Sequence, residues 1–308
     1  MKNTSRLKRS YPFKRKILGV FISRRVILIA FILFVSGFVV NQSVVAQNEP
    51  QIKVGENSRS IKSGSETRPY LLYIPKGYDE KTALPLVLLF HGMGGAAANV
   101  MALSDLSKVA DEKKFIIAAP EGIYGNATWN YNQYRRYTND VEFVKDLIKE
   151  IRSKIAIDQK RIYAAGWSAG AKMSCCLACE LSNVIAAIGI VAGLEYFENC
   201  PSTRSVSIIA FHGTADPVIS YSDPQDALSS WVKKNACTPT PKTRKISEAV
   251  TQLTYGDCRD NAEVVFYRID EMGHAWPGSV YPDYVGKTNR DINASNLIWS
   301  FFEAHPLP

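Results

Sequence analysis

Three short stretches of this chain hold residues that do chemistry together. Gly166-Trp167-Ser168-Ala169-Gly170 follows directly on the strand-like run 161–165. A serine between two glycines, where a strand turns sharply into a helix, has its hydroxyl lifted above the sheet, and small flanking residues let strand and helix approach. His212-Gly213-Thr214-Ala215-Asp216 follows a second apolar run, and Glu271-Met272-Gly273-His274-Ala275-Trp276-Pro277-Gly278 follows a third. A hydroxyl, an imidazole and a carboxylate are the parts acyl transfer needs: a nucleophile, a base within reach of it, and an acid that orients the base. Ser168, Asp216 and His274 are the expected set, and sites in open parallel sheets lie at strand C-termini, where all three fall.

The competing residues are few. Asp223 and Asp226 lie further from the strand end than Asp216. Of the four histidines, His305 is in the tail, and only His274 both follows the acid and sits in a loop after a strand. His91 and His212 each precede a glycine at a strand end, the setting of a buried, hydrogen-bonded histidine; His91 is also a candidate substrate contact. An oxyanion needs preorganised N–H donors. The amide after the nucleophile, Ala169, is one, and Met93 in the loop His91-Gly92-Met93-Gly94-Gly95 is the expected second, with Gly92 and Gly94 as alternatives. Trp129, Trp167 and Trp276 are candidates for the acyl or sugar surface, core packing being the other reading of Trp129 and Trp276.

These loops require a scaffold that brings three strand ends together. Leu84–Phe90 is short and continuously apolar, as a strand buried on both faces of a parallel sheet must be. Further strands are expected at 68–74, 115–119, 161–165, 184–191, 206–211 and 264–269. Helices are expected at 97–113, 140–154, from the serine turn to about 181, and at 293–303. Strands alternating with helices predict an α/β fold, a mostly parallel sheet with helices on both faces. No large cap domain is expected, and 218–262 reads as the largest irregular region.

The first 46 residues read as an export segment or N-terminal membrane anchor. They carry nine Lys and Arg and no acid, then an apolar run from Val26 to Val40 and the small-residue pattern Val44-Val45-Ala46. Ser23-Arg24-Arg25 resembles a twin-arginine signal. Residues 47–66 read as a linker and first edge strand, and 67–308 as the catalytic domain. Setting aside nine of the 37 basic residues leaves 28 against 29 acidic ones. The body is near neutral, so no nucleic-acid partner is implied, and membrane contact is expected only through the N-terminal segment. Six cysteines in an exported chain suggest disulfides, with 15 possible pairings; Cys237–Cys258 is the first choice and Cys179–Cys200 the second. No metal or cofactor is implied.

His91-Gly92 with its glycines, the Gly166–Gly170 turn, His212-Gly-Thr-Ala-Asp216 and Gly273-His274-Ala-Trp276-Pro-Gly278 together resemble the polyhydroxybutyrate depolymerase-like esterases. That group overlaps with carbohydrate esterase family 1, which includes feruloyl and acetylxylan esterases. The resemblance covers roughly residues 60–305 and implies an α/β-hydrolase fold, the triad Ser168, Asp216 and His274, and a bridge at Cys237 and Cys258. With the N-terminal export segment, the expectation is a secreted or envelope-located serine esterase. Feruloyl or acetyl esters of plant polysaccharide are the expected substrates, with poly(3-hydroxybutyrate) or its oligomers as the alternative. A serine peptidase and a non-catalytic envelope binding protein are the remaining readings.

Overall fold

The computed structural model describes residues 51–131, 139–281, 283 and 285–308. The expected export segment, 1–46, lies outside them. A hairpin opens the described chain: β1 (Gly55–Ser63) pairs antiparallel with β2 (Glu66–Ile74) in unbroken register. Then come β3 (Leu84–Phe90), α1 (Ala97–Ser104), α2 (Leu106–Lys113), β4 (Ile116–Pro120), α3 (Asp140–Lys154), β5 (Ile157–Trp167), α4 (Ala169–Glu180), β6 (Ala187–Val191), β7 (Ser207–Gly213), α5 (Ser222–Lys234), β8 (Lys242–Lys245), β9 (Val250–Tyr255), β10 (Val264–Ile269) and α6 (Ala294–Ala304). The sheet order is β1-β2-β4-β3-β5-β6-β7-β10-β9-β8. Its six central strands, β4 to β10, run parallel, and the antiparallel pairs close both edges.

The central strands β3, β4 and β6 are apolar and buried throughout because both faces are covered. Leu86, Leu88 and Phe90 of β3 point into one core with Val144 and Leu147 of α3, Leu177 of α4 and Trp231 of α5. Val87 and Leu89 point the other way, into a second core with Val100 of α1, Val109 of α2 and Trp299 and Phe302 of α6. Strand geometry sends successive side chains to opposite faces, so a strand sandwiched between helix layers has no polar side to alternate with.

The expected 97–113 helix is two helices. Asp105 between them has φ 52°, and its N–H donates to the Met101 carbonyl; a left-handed residue ends one helix, and Asp tolerates that conformation better than most. The region 218–262, read as irregular, holds α5, β8 and β9, which is a correction. Two disulfides form, Cys179–Cys200 and Cys237–Cys258, and Cys175 and Cys176 lie buried outside any disulfide. The second bridge ties the end of α5 to the segment after β9, and so holds this edge of the sheet together.

Candidate active site

Ser168 sits at the end of β5 and at the N-cap of α4, with φ 57° and ψ −119°. That conformation is costly for a residue with a Cβ and persists only where the surroundings impose it. Here they do. A Cβ on Gly166 would fall on the backbone of Gly170, and one on Gly170 would fall on the Phe90 carbonyl and lie 2.6 Å from the His91 carbonyl oxygen. The two glycines therefore let α4 start hard against both β5 and β3. Ser168 makes no side-chain capping bond to the helix it begins, so its hydroxyl is not spent as N-cap serines usually spend theirs. Its amide donates to the Val191 carbonyl at 2.9 Å, fixing the turn to β6.

Asp216 and His274 come from the loops after β7 and β10, adjacent parallel strands. The loops are laced together: Thr214 N–H donates to Ile269 O at 2.9 Å, Ala215 N–H to Met272 O at 3.0 Å, and Glu271 N–H to Thr214 Oγ1 at 3.0 Å. Gly213 is required at this crossing, since a Cβ there would strike the Met272 carbonyl. His274 Nδ1 lies 2.7 Å from Asp216 Oδ2, and both side chains are almost wholly buried. Asp216 Oδ1 accepts from Val218 N–H at 2.8 Å and Ile219 N–H at 2.9 Å. Burial by itself pushes the Asp216 carboxyl up, but the His274 contact and the two amides outweigh it and hold it below the ordinary carboxylate range. An ionised acceptor at Oδ2 makes His274 Nδ1 the donor, which leaves Nε2 as the ring's basic nitrogen.

Beside this pair lies a cavity of about 560 Å³, walled by the loop His91–Gly95, by Val100 and Leu103 of α1, by Trp167 and His274, and by Ala275, Tyr281 and Val285. Trp167 packs on the His274 ring at 5.1 Å between centroids. The Gly92 loop closes over the serine: a Cβ built on Gly92 would lie 2.8 Å from the Trp167 ring and 3.4 Å from Ser168 Cβ. In that loop, Gly94 N–H donates to the Asn126 and Ala127 carbonyls at 2.9 and 3.1 Å, and Gly95 N–H to Gly92 O at 3.1 Å. Among the described residues no backbone carbonyl accepts from Met93 N–H, so Met93 is a better second donor than Gly94. Ala169 is the first residue of α4, where amides have no partner within the helix and the helix dipole favours negative charge.

Two of the expected substrate contacts, Trp129 and Trp276, lie in the core. Trp129 is 2 % exposed; its Nε1–H donates to His91 O at 2.8 Å and its ring packs edge-on against Phe90. Trp276 is 1 % exposed, its Nε1–H donating to Ser295 Oγ at 3.1 Å. Each indole fills a core and pays for its one polar atom with a buried acceptor. His91 borders the cavity, but both ring nitrogens are engaged: Nε2 accepts from Gly122 N–H at 2.9 Å, so Nδ1 carries the proton and donates to Gly92 O at 2.7 Å. Burial pulls its pKa down, favouring that neutral form. His91 thus braces the Gly92–Met93 turn. Of the four, His91 and Trp167 border the cavity. Sequence reasoning missed Tyr281, Val285 and Leu103 as cavity walls; only their proximity in sequence to His274 or to the glycine loop pointed to them.

Several known proteins resemble this one. Feruloyl esterase B of Piromyces equi is 30% identical over 230 residues, a match covering 68% of this chain but 42% of that protein, so this chain spans under half of that relative. Feruloyl esterase D of Neurospora crassa is 23% identical over 267 residues, 82% of this chain and 87% of that one. An acetyl xylan esterase structure from Aspergillus awamori superposes with a TM-score of 0.60 at 14% identity, covering 71% of this chain and 94% of that one, which establishes the α/β-hydrolase fold. Residues 68–236, over half of the chain and including both Ser168 and Asp216, match the family model described as Esterase PHB depolymerase, and the chain belongs to that family.

Proposed function

We propose that this protein is an exported serine esterase in which Ser168, His274 and Asp216 form the catalytic triad. The observation that carries the reading is the 2.7 Å His274–Asp216 contact near a serine that is held in a strained turn and makes no capping bond to its own helix. His274 Nε2 takes the Ser168 proton as Oγ attacks the ester carbonyl. The Ala169 and Met93 amides donate to the oxyanion, a contribution worth about 2.7–4 kcal/mol per donor in comparable sites. His274 then protonates the leaving alcohol, and water, activated by the same nitrogen, releases the acid from the acyl-enzyme. No cofactor enters these steps.

The substrates are feruloyl or acetyl esters of plant polysaccharide. The names of the relatives from Piromyces, Neurospora and Aspergillus favour this, as does a largely apolar cavity with an aromatic wall at Trp167 and Tyr281. The family's description favours the second reading, hydrolysis of 3-hydroxybutyrate oligomers. Two disulfides and the basic, then apolar, N-terminal segment support export. Turnover of methyl ferulate and of a 3-hydroxybutyrate trimer, with Ser168→Ala as control, tests the proposal. Preference for ferulate supports the first reading and preference for the trimer the second. Undiminished turnover by Ser168→Ala refutes the mechanism.

A further inference from the structure

Asp216 faces two imidazoles. Its Oδ2 lies 2.7 Å from His274 Nδ1 and 3.5 Å from His212 Nε2. His212 is the next-to-last residue of β7 and is 1 % exposed. Its Nε2 is 3.2 Å from the Ile219 carbonyl oxygen. A carbonyl only accepts, so the His212 proton resides on Nε2 and points toward both Ile219 O and the carboxylate. Ile219 closes the circuit by donating its own N–H to Asp216 Oδ1 at 2.9 Å. The segment 213–219 is therefore held from two sides: by Asp216 gripping the 218 and 219 amides from within, and by His212 gripping the 219 carbonyl from the strand. Among the described residues His212 Nδ1 has no hydrogen-bond partner.

We propose that His212 is a positioning residue: its Nε2–H anchors the Ile219 end of this turn and thereby fixes the aim of Asp216 Oδ2 at His274. The inference rests on the triad reading above. It differs from a plain core histidine in its consequences. A core histidine stabilises the fold wherever the chemistry happens, whereas this one acts through Asp216 and only there. Burial pulls the His212 pKa down more than the Ile219 and Asp216 contacts raise it, which suits a neutral donor that leaves the carboxylate's charge to His274.

The test is a double-mutant cycle read by hydrolysis of 4-nitrophenyl acetate. His212→Phe keeps a buried ring and removes the N–H; His212→Gln restores a donor; Asp216→Asn removes the group through which His212 is argued to act. A displaced catalytic group on the order of 1 Å off costs about 10²-fold, so His212→Phe is expected to lower kcat about 10- to 100-fold with KM unchanged. His212→Gln should recover most of that loss. In the Asp216→Asn background His212→Phe should cost less than about 2-fold, since residues acting as one unit are non-additive. Equal losses in both backgrounds, a loss carried by KM, or no loss would each overturn the inference. An Asp216→Asn enzyme with undiminished kcat would instead overturn the triad reading itself. Should His212→Phe not fold, His212→Leu makes the same comparison with a smaller apolar side chain.

Discussion

Adding one methyl group at Gly170 should disable the site while leaving all of its polar residues in place. Cβ at position 170 would lie 2.6 Å from the His91 carbonyl oxygen and closer still to that of Phe90. Ordinary contact begins near 3.4 Å, so relieving the His91 contact alone displaces the start of α4 from the end of β3 by about 0.8 Å. That displacement separates the two halves of the proposed oxyanion hole, because Ala169 rides on α4 and Met93 on the loop after β3. Overpacking of this kind costs about 1–3 kcal/mol, which for a domain of this size lowers Tm by roughly 2–12 °C. The misplacement of the amides costs about 10²-fold in kcat. Gly170→Ala should therefore lose far more activity than its stability loss explains, measured at a temperature where circular dichroism shows it folded. Gly256→Ala is the control: nothing lies within 4 Å of a Cβ there, and both Tm and kcat should stay at wild-type values. A Gly170→Ala protein with wild-type kcat would refute the idea that the elbow's close approach sets the oxyanion geometry.

Other expectations concern stability and redox state. Arg68 Nη1 lies 2.8 Å from Asp140 Oδ1 with both side chains buried and the guanidinium 3.8 Å above the Phe143 ring; Arg68→Ala strands a buried carboxylate and should cost about 3–5 kcal/mol in urea unfolding, and a loss under about 1 kcal/mol would contradict this. His91 and His212 have folded pKa values pulled below the ordinary 6.5 by burial. Below that value the unfolded chain takes up protons that the folded chain refuses, so each histidine lowers stability by up to about 1.4 kcal/mol per pH unit. Asp216 has the carboxylate sign: its contribution is complete above its ordinary value of 3.8 and is lost as pH falls through its depressed folded value. Tm should then fall between pH 7 and 5 and again below about 4; a Tm flat from pH 7 to 5 would contradict it. Burial pushes the Cys175 thiol up to about 12, and Cys176 is also buried. A thiol reagent should find no reactive cysteine in the native protein and two after unfolding without reductant, and four or more would disprove one of the bridges.

What was legible in the sequence followed from periodicity and from backbone constraint. The helix over 140–154 and the strands at 84–90 and 264–269 match the structure at both ends, because each shows an uninterrupted pattern between polar breaks. The glycines of the elbow and of His212-Gly213 marked places where backbone meets backbone, and that is a local signal. The helix α5 was missed although its signal was present. Ala227, Leu228, Trp231 and Val232 form its buried stripe, behind a polar start that reads as loop. Strand β8, Lys-Thr-Arg-Lys, has no buried residue. A charged edge strand discourages pairing with another sheet and offers no alternation to read. The tryptophans failed for a different reason. Trp129 and Trp276 lie in polar loops near the site, but which way an indole turns depends on long-range partners: His91 O for one and Ser295 Oγ for the other. A local window cannot contain those partners. The same limit hid the walls of the cavity, where α1 and the 275–288 segment meet across nearly two hundred residues of sequence.

Covalent labelling of Ser168 tests the central claim most directly. The folded protein is treated with a fluorophosphonate probe, and its intact mass and digested peptides are read by mass spectrometry. The proposed triad predicts a single adduct on the peptide containing Ser168, absent from Ser168→Ala and strongly slowed in His274→Ala. An unlabelled folded protein, or an adduct on any other residue, would contradict the assignment of Ser168 as the nucleophile.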